Sequence, residues 1–232
     1  MIWLNADVGE RPAALADGSE EELVSLIHWA NIACGGHAGD EHSMRQLLEL
    51  CRRYGVQAGA HPGYPDRERF GREILEITPE ALAAAVFEQV QRIAEIARQA
   101  GMEIRHVKPH GALYNQAARE PDVAAAIARG VVAWSRDVVL VGLARSCMLE
   151  VWDAAGLSTI AEAFADRRYE PDGTLRARRD PDALITDPAQ AADQARRLSA
   201  DGAAGTVCVH SDTPNAPAIA RAVRAVLDPR AA

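Results

Sequence analysis

The chain has 232 residues, of which 48% are apolar, a length and composition suited to one α/β domain with a sizeable core. Its 25 basic and 33 acidic residues leave a net charge of −8, which argues against nucleic acid or an anionic membrane as the main partner, since no basic stripe is available. No run approaches the ~18 uninterrupted apolar residues of a membrane span. The opening MIWLNADVGE carries Asn5 and Asp7 with no basic stretch ahead of them, so no export signal is expected.

Short apolar or β-branched runs occur at 2–8, 30–34, 56–60, 104–108, 138–142, 159–163 and 206–210, and helical pattern fills most of the intervals. The clearest helix is expected over 78–101. Thr78 can cap it, Pro79 fits its first turn and Gly101 stops it, while Leu82, Val86, Val90, Ile93 and Ala97 form one apolar stripe. Pro121, Pro188 and Pro214 mark further helix starts, and Gly55, Gly156 and Gly202 further ends. Strand followed by helix, repeated about seven times, implies a parallel sheet, because parallel neighbours need crossover connections. Residues 165–188 are the one long irregular, charged stretch and are expected to form a loop over one face. With no linker or low-complexity tract, 1–232 is expected to be a single domain.

The polar residues collect where these strands end. The first strand supplies Asn5, Asp7 and Glu10; the second, Asn31, His37 and Asp40; the third, His61, Tyr64 and Asp66. The fourth runs into HVKPHGALYN with Lys108 and His110, placed in a loop; the sixth leads to Glu162, Asp166, Arg167, Arg168 and Tyr169; the last ends at His210 and Asp212. In a closed parallel barrel these groups meet at one mouth, whereas in an open sheet only those near a switch point would. Asn5 and Asp7 alternate along their strand and can both face the interior, where Lys108 is the natural partner for a buried carboxylate. A purely structural Asp7–Lys108 ion pair is the plainer reading.

Other groups have plain readings too. Cys34 is expected to be core packing rather than a nucleophile, and Asp212 a helix cap. Arg167 and Arg168 either bind an anion or are solvated loop charges. The four cysteines, Cys34, Cys51, Cys147 and Cys208, form no C-x-x-C pair, which fits reduced thiols in a cytoplasmic protein. No phosphate loop of the G-x-x-x-x-G-K-[ST] kind occurs. Asp, His and Asn groups could hold a divalent ion, but no H-x-H or H-x-x-x-H pair fixes two ligands, so no metal residues are assigned.

The motifs LNADVGE, ANIACGGHAGD, GAHPGYPD, FGR, VKPHGALYN, FADRRY and CVHSDTP follow one another in the order of the LamB/YcsF family, which the chain resembles from Asn5 to about Pro214. The resemblance implies a distorted β/α barrel similar to those of glycoside hydrolases and polysaccharide deacetylases. It also implies an activity, the opening of the 5-oxo-L-proline lactam to L-glutamate coupled to ATP hydrolysis, carried out with two further subunits, B and C. ATP would be a co-substrate of the complex, in keeping with the missing phosphate loop. Asn5, Asp7, Asn31, His37, His61, Lys108, His110 and His210 match its motif positions. Four departures stand out: RPAALADG follows Glu10 in a shorter form than is usual, Gly36 replaces a common aromatic, Ser211 replaces a common glycine, and the chain is trimmed between RRLSADG and TVCVH.

Phosphorylation of the lactam oxygen would make the ring carbon electrophilic to water, and the site would then need a base, a cation and an acid. Asp7 or His61 is assigned as base, Lys108 as the charge clamp and His110 as the acid for the ring nitrogen. Asn5, Asn31, His37, Arg168 and His210 are assigned to substrate binding. Two rival functions remain: a stand-alone metal-dependent hydrolase or deacetylase on the same barrel, and a non-catalytic ligand-binding subunit.

Overall fold

Seven parallel strands, β1 (Trp3–Val8), β2 (Trp29–Ala33), β3 (Gln57–His61), β4 (Ile104–Val107), β5 (Val139–Leu143), β6 (Ser158–Phe164) and β7 (Thr206–His210), close into a barrel in which β7 pairs back onto β1. The structure is a computed structural model, described over residues 2–228. Every expected strand is found, each within two residues of its expected bounds.

Helices α1 (Pro12–Ala16) and α2 (Ser19–Val24) follow β1, and α3 (Glu41–Tyr54) follows β2. Helix α4 (Pro79–Gln99) follows β3, α5 (Gly111–Ala117) and α6 (Pro121–Trp134) follow β4, α7 (Cys147–Ala154) follows β5, α8 (Pro188–Asp201) follows β6 and α9 (Ala216–Leu227) closes the described chain. None of them is long and apolar enough to cross a membrane.

Alternation along β1 explains how sheet and helices divide the side chains. Leu4, Ala6 and Val8 point outward and are fully buried in the core under the helices, whereas Asn5 and Asp7 point into the barrel. Helix α4 begins as its sequence dictates: Thr78 Oγ1 accepts from the Ala81 N–H, and Leu82, Val86, Val90, Ile93 and Ala97 are all buried. Each of the four larger side chains contributes roughly 1.5–3 kcal/mol by leaving water.

Some boundaries differ from expectation. Pro214 does not start α9; the chain turns once more through Asn215, which has φ 66°, and Pro217 occupies the first turn instead. The segment after Lys108 is not a loop throughout, because α5 begins at Gly111 and carries Tyr114 and Asn115 on a helix. Residues 165–187 do cross the mouth irregularly, pinned by the antiparallel bridges Arg167–Leu184 and Tyr169–Leu175.

Candidate active site

Strand register brings the polar residues together. Asp7 lies level with Asn31 on β2 and with His210 on β7, and Asn5 lies level with Cys208. Gly59 lies between Asn31 and His106, and a Cβ there would fall 2.1 Å from the His106 ring. The missing side chain is the space that His106 fills in order to donate its Nε2–H to Asn31 Oδ1 at 2.8 Å. Nothing in the local sequence singles out His106; burial pushes it down to about 3, so it is neutral.

Lys108, immediately beyond β4, is the centre of a buried network. Its Nζ lies 2.8 Å from Asp7 Oδ1, 3.0 Å from Glu162 Oε1 and 3.0 Å from Cys208 Sγ. Asn31 Nδ2 donates to both Asn5 Oδ1 (2.7 Å) and Asp7 Oδ1 (2.8 Å). Glu162 also accepts from Asn5 Nδ2 (2.8 Å) and from the Tyr114 hydroxyl (2.9 Å). Burial pushes Asp7 upward, but the neighbouring His61 and Lys108 outweigh it and hold the carboxyl well below the usual range. Glu162 goes the other way: burial raises it, only partly opposed by Lys108.

Asp7, Glu10, His110 and His210 line a cavity of about 670 Å³ at the mouth. Lys108, Asn5 and Asn31 are not part of its lining: all three are buried, and their side chains bond to Asp7 or to one another beneath it. The walls carry Arg72, Arg119, Arg167, Arg176, Arg178 and Arg179. Arg168 is not among them. It is exposed, whereas its neighbour Arg167 turns inward and lines the cavity. Asp212 is not a helix cap; its carboxylate joins Arg72 and Arg178 across the opening.

The histidines take distinct places. His61, the last residue of β3, lies with Nε2 3.3 Å from Asp7 Oδ2 and 3.5 Å from Glu10 Oε1; burial lowers its affinity for a proton, but these carboxylates raise it to about 9. His110 Nδ1 lies 2.9 Å from Glu10 Oε1, and His37 Nε2 lies 3.2 Å from the same oxygen. Burial pushes His37 down to about 3. His37 and His110 stack face to face with ring centroids 3.6 Å apart. His210 is the most accessible of the four. Its Nδ1 lies 3.0 Å from Asp166 Oδ1, and its Nε2 lies 3.8 Å from Asp7 Oδ2. A carboxylate only accepts, so Nδ1 donates to Asp166 and Nε2 is the nitrogen turned toward Asp7 and the mouth.

Glu10, Glu162 and Asp166 stand at strand ends in the sequence without an assigned role, and all three are buried within this assembly. Glu10 turns back toward the axis because Gly9 adopts φ 79°, a conformation L side chains rarely take. The Gly36 departure also has a physical reason: a Cβ there would lie 2.1 Å from Gln89 Oε1, and the Gln89 carboxamide bonds both the N–H and the C=O of Gly63 in that space. Cys34 is core packing, since it is fully buried and burial pushes its thiol up to about 12.

A closed parallel barrel with ionisable groups gathered at its carboxyl mouth is the architecture of a β/α-barrel enzyme. The chain belongs to the LamB/YcsF family, which it matches over residues 2–231. It is 49% identical to the 5-oxoprolinase A subunit of Chloroflexus aggregans, over 96% of this chain and 93% of that one. A lactam utilization protein from Thermus thermophilus superposes with a TM-score of 0.90 at 38% identity, over 99% of this chain and 97% of the other. The catalytic domain of a peptidoglycan N-acetylglucosamine deacetylase from Eubacterium rectale shares the barrel alone, with a TM-score of 0.50 at 11% identity over 96% of this chain and 81% of that one.

Proposed function

We propose that the chain is the A component of an ATP-hydrolysing 5-oxoprolinase and opens 5-oxo-L-proline to L-glutamate together with subunits B and C. Relatives named for 5-oxoproline and for lactams supply the substrate class. The observation that carries the reading is the mouth: six arginines wall a cavity floored by Asp7, Glu10, His110 and His210 in a chain whose net charge is −8. Such a lining suits a small anion. 5-Oxoproline carries one carboxylate, and phosphorylation of its lactam oxygen adds more negative charge.

His210 is the proton carrier in this scheme. With Nδ1–H held by Asp166, its Nε2 takes a proton from the water that adds to the phosphorylated ring carbon. The imidazolium is stabilised by Asp166 and Asp7, and it returns the proton to the ring nitrogen as the C–N bond breaks. The product of that step is a γ-glutamyl phosphate, and a second water releases phosphate and glutamate. Lys108 keeps Asp7 ionised from behind. Arg167 and Arg179, which line the cavity and pair with no carboxylate among the described residues, hold the carboxylate and phosphate oxygens.

The test is glutamate release from 5-oxo-L-proline by the purified chain, with each combination of ATP and subunits B and C. Glutamate formed only when all are present supports the reading. Glutamate formed by this chain alone, without ATP, would make it a stand-alone hydrolase, and none in any mixture would remove the lactam as substrate.

A further inference from the structure

Glu10, His37, His61 and His110 lie so close that one donor atom from each falls within 4.8 Å of all the others. Two of the rings have their orientation fixed by the backbone. His61 Nδ1 lies 2.7 Å from the Lys108 carbonyl oxygen, and His110 Nε2 lies 3.0 Å from that of Phe70. A carbonyl only accepts, so each of these nitrogens carries a proton, and the opposite nitrogens, His61 Nε2 and His110 Nδ1, are the positions that take either a second proton or a metal ion. Those two nitrogens converge. His61 Nε2 and His110 Nδ1 are 3.1 Å apart, and they stand 3.5 Å and 2.9 Å from Glu10 Oε1. Three such atoms at this range are held together by a positive centre, either a proton on His61 or a metal ion that displaces it.

We propose that Glu10, His61 and His110 bind one divalent ion of the zinc type, with its remaining coordination directed into the mouth beside Asp7. Two imidazoles and a carboxylate are a donor set that zinc accepts, and ligand atoms ~2.0–2.1 Å from a tetrahedral zinc lie ~3.4 Å from one another. The observed 2.9, 3.1 and 3.5 Å fall around that value. The ring planes agree as well. His61 stands at 88° to His110, so the two planes cross and one ion can lie in both.

His37 is a positioning residue rather than a ligand. Its ring is parallel to that of His110 within 2°, and two parallel planes share no common centre. Its Nε2 instead holds Glu10 Oε1 at 3.2 Å. Carbonyl-anchored N–H groups and a hydrogen-bonded carboxylate are the supports that metal ligands usually have. The sequence hides the set because its three members come from three separate strand ends, with no fixed spacing. The neighbouring Asp7–Cys208–His210 group is the weaker alternative, because the Cys208 thiol is engaged by Lys108 and burial drives it well above its usual range. An ion held by Glu10, His61 and His110 would polarise a water next to Asp7 Oδ2, which lies 3.3 Å from His61 Nε2.

The inference is tested without ATP, lactam or partner subunits, so its failure is separable from failure of the 5-oxoprolinase reading. The full chain is stripped with chelator and titrated calorimetrically with Zn2+, and its Co2+ form is followed by visible absorption. One equivalent of ion is expected, with a tetrahedral Co2+ spectrum free of thiolate charge transfer. Glu10→Gln and His110→Asn should each weaken binding ~100-fold and His37→Gln ~10-fold, with circular dichroism confirming the fold. The proposal is overturned if the folded wild type takes up no ion, if Glu10→Gln and His110→Asn bind as the wild type does, or if thiolate bands place the ion at Cys208. The Co2+ spectrum of the wild type decides the last point even where a variant does not fold.

Discussion

Replacing Lys108 by Met keeps much of the side-chain volume but removes a cation that faces both Asp7 and Glu162. The ammonium lies 2.8 Å from Asp7 and 3.0 Å from Glu162, and the three side chains are at least 95% buried. Without it, Glu162 is left fully buried with no facing cation among the described residues, and Asp7, at the edge of the cavity, keeps only the histidines beside it. Breaking a buried ion pair from one side costs about 3–5 kcal/mol, and here two anions lose the same partner. Glu162 should absorb part of the cost by taking a proton, since burial already raises it and Lys108 is what opposes that shift. The sign follows: a carboxyl raised further in the folded state favours folding at low pH, and that benefit is lost as the pH rises. Guanidinium unfolding followed by circular dichroism should therefore show Lys108→Met losing about 3–5 kcal/mol at pH 7.5 and less at pH 5. The double variant Lys108→Met/Glu162→Gln should recover part of the loss at pH 7.5. A single variant within about 1 kcal/mol of wild type at both pH values would mean that Lys108 does not hold the two carboxylates, and the account of Asp7 would fall with it.

Glu20 gives an independent pH test. Burial pushes it up to about 7, only partly opposed by the Gly9 N–H it accepts at 2.7 Å, so its contribution to stability is complete below about pH 4.5 and is lost as the pH rises to 7. Glu20→Gln keeps that acceptor and should be more stable than wild type at pH 8 by up to about 3 kcal/mol, with no gain at pH 4; equal melting temperatures at pH 8 would contradict the shift. Gly59→Ala puts a Cβ 2.1 Å from the His106 ring and should cost about 2–3 kcal/mol in denaturant unfolding. A change below about 0.5 kcal/mol would show that His106 has room to move.

Much of the barrel is legible in the sequence because its strands are short β-branched or apolar runs and its longest helix carries its own cap, first-turn proline and stripe. Asp7 and Lys108 are legible as partners for a simple reason: a buried carboxylate on one strand end needs a cation from another. Harder to read are the residues whose direction depends on a single turn. Glu10 reaches the axis only through the positive φ of Gly9. Arg167 rather than Arg168 faces the mouth because the Arg167–Leu184 bridge sets the alternation beyond β6, and a shift of one residue reverses the facing side. Asp212 next to Thr213-Pro214 has the local pattern of a cap, but the two arginines it joins come from loops 140 and 34 residues away. Lys108 is assigned as a charge clamp from its strand-end position; what local sequence does not contain is depth, and the network around Asn5, Asn31 and Glu162 buries it outside the cavity lining.

The central claim is that ring opening takes place at this mouth with His210 carrying the proton. The direct measurement is glutamate formation from 5-oxo-L-proline by the complex assembled with His210→Asn, beside the wild-type complex, with co-elution of the three subunits and circular dichroism as controls. The account predicts an intact assembly whose glutamate formation falls at least ~100-fold, within the range expected for losing a general base. An intact His210→Asn assembly that forms glutamate at the wild-type rate would contradict it.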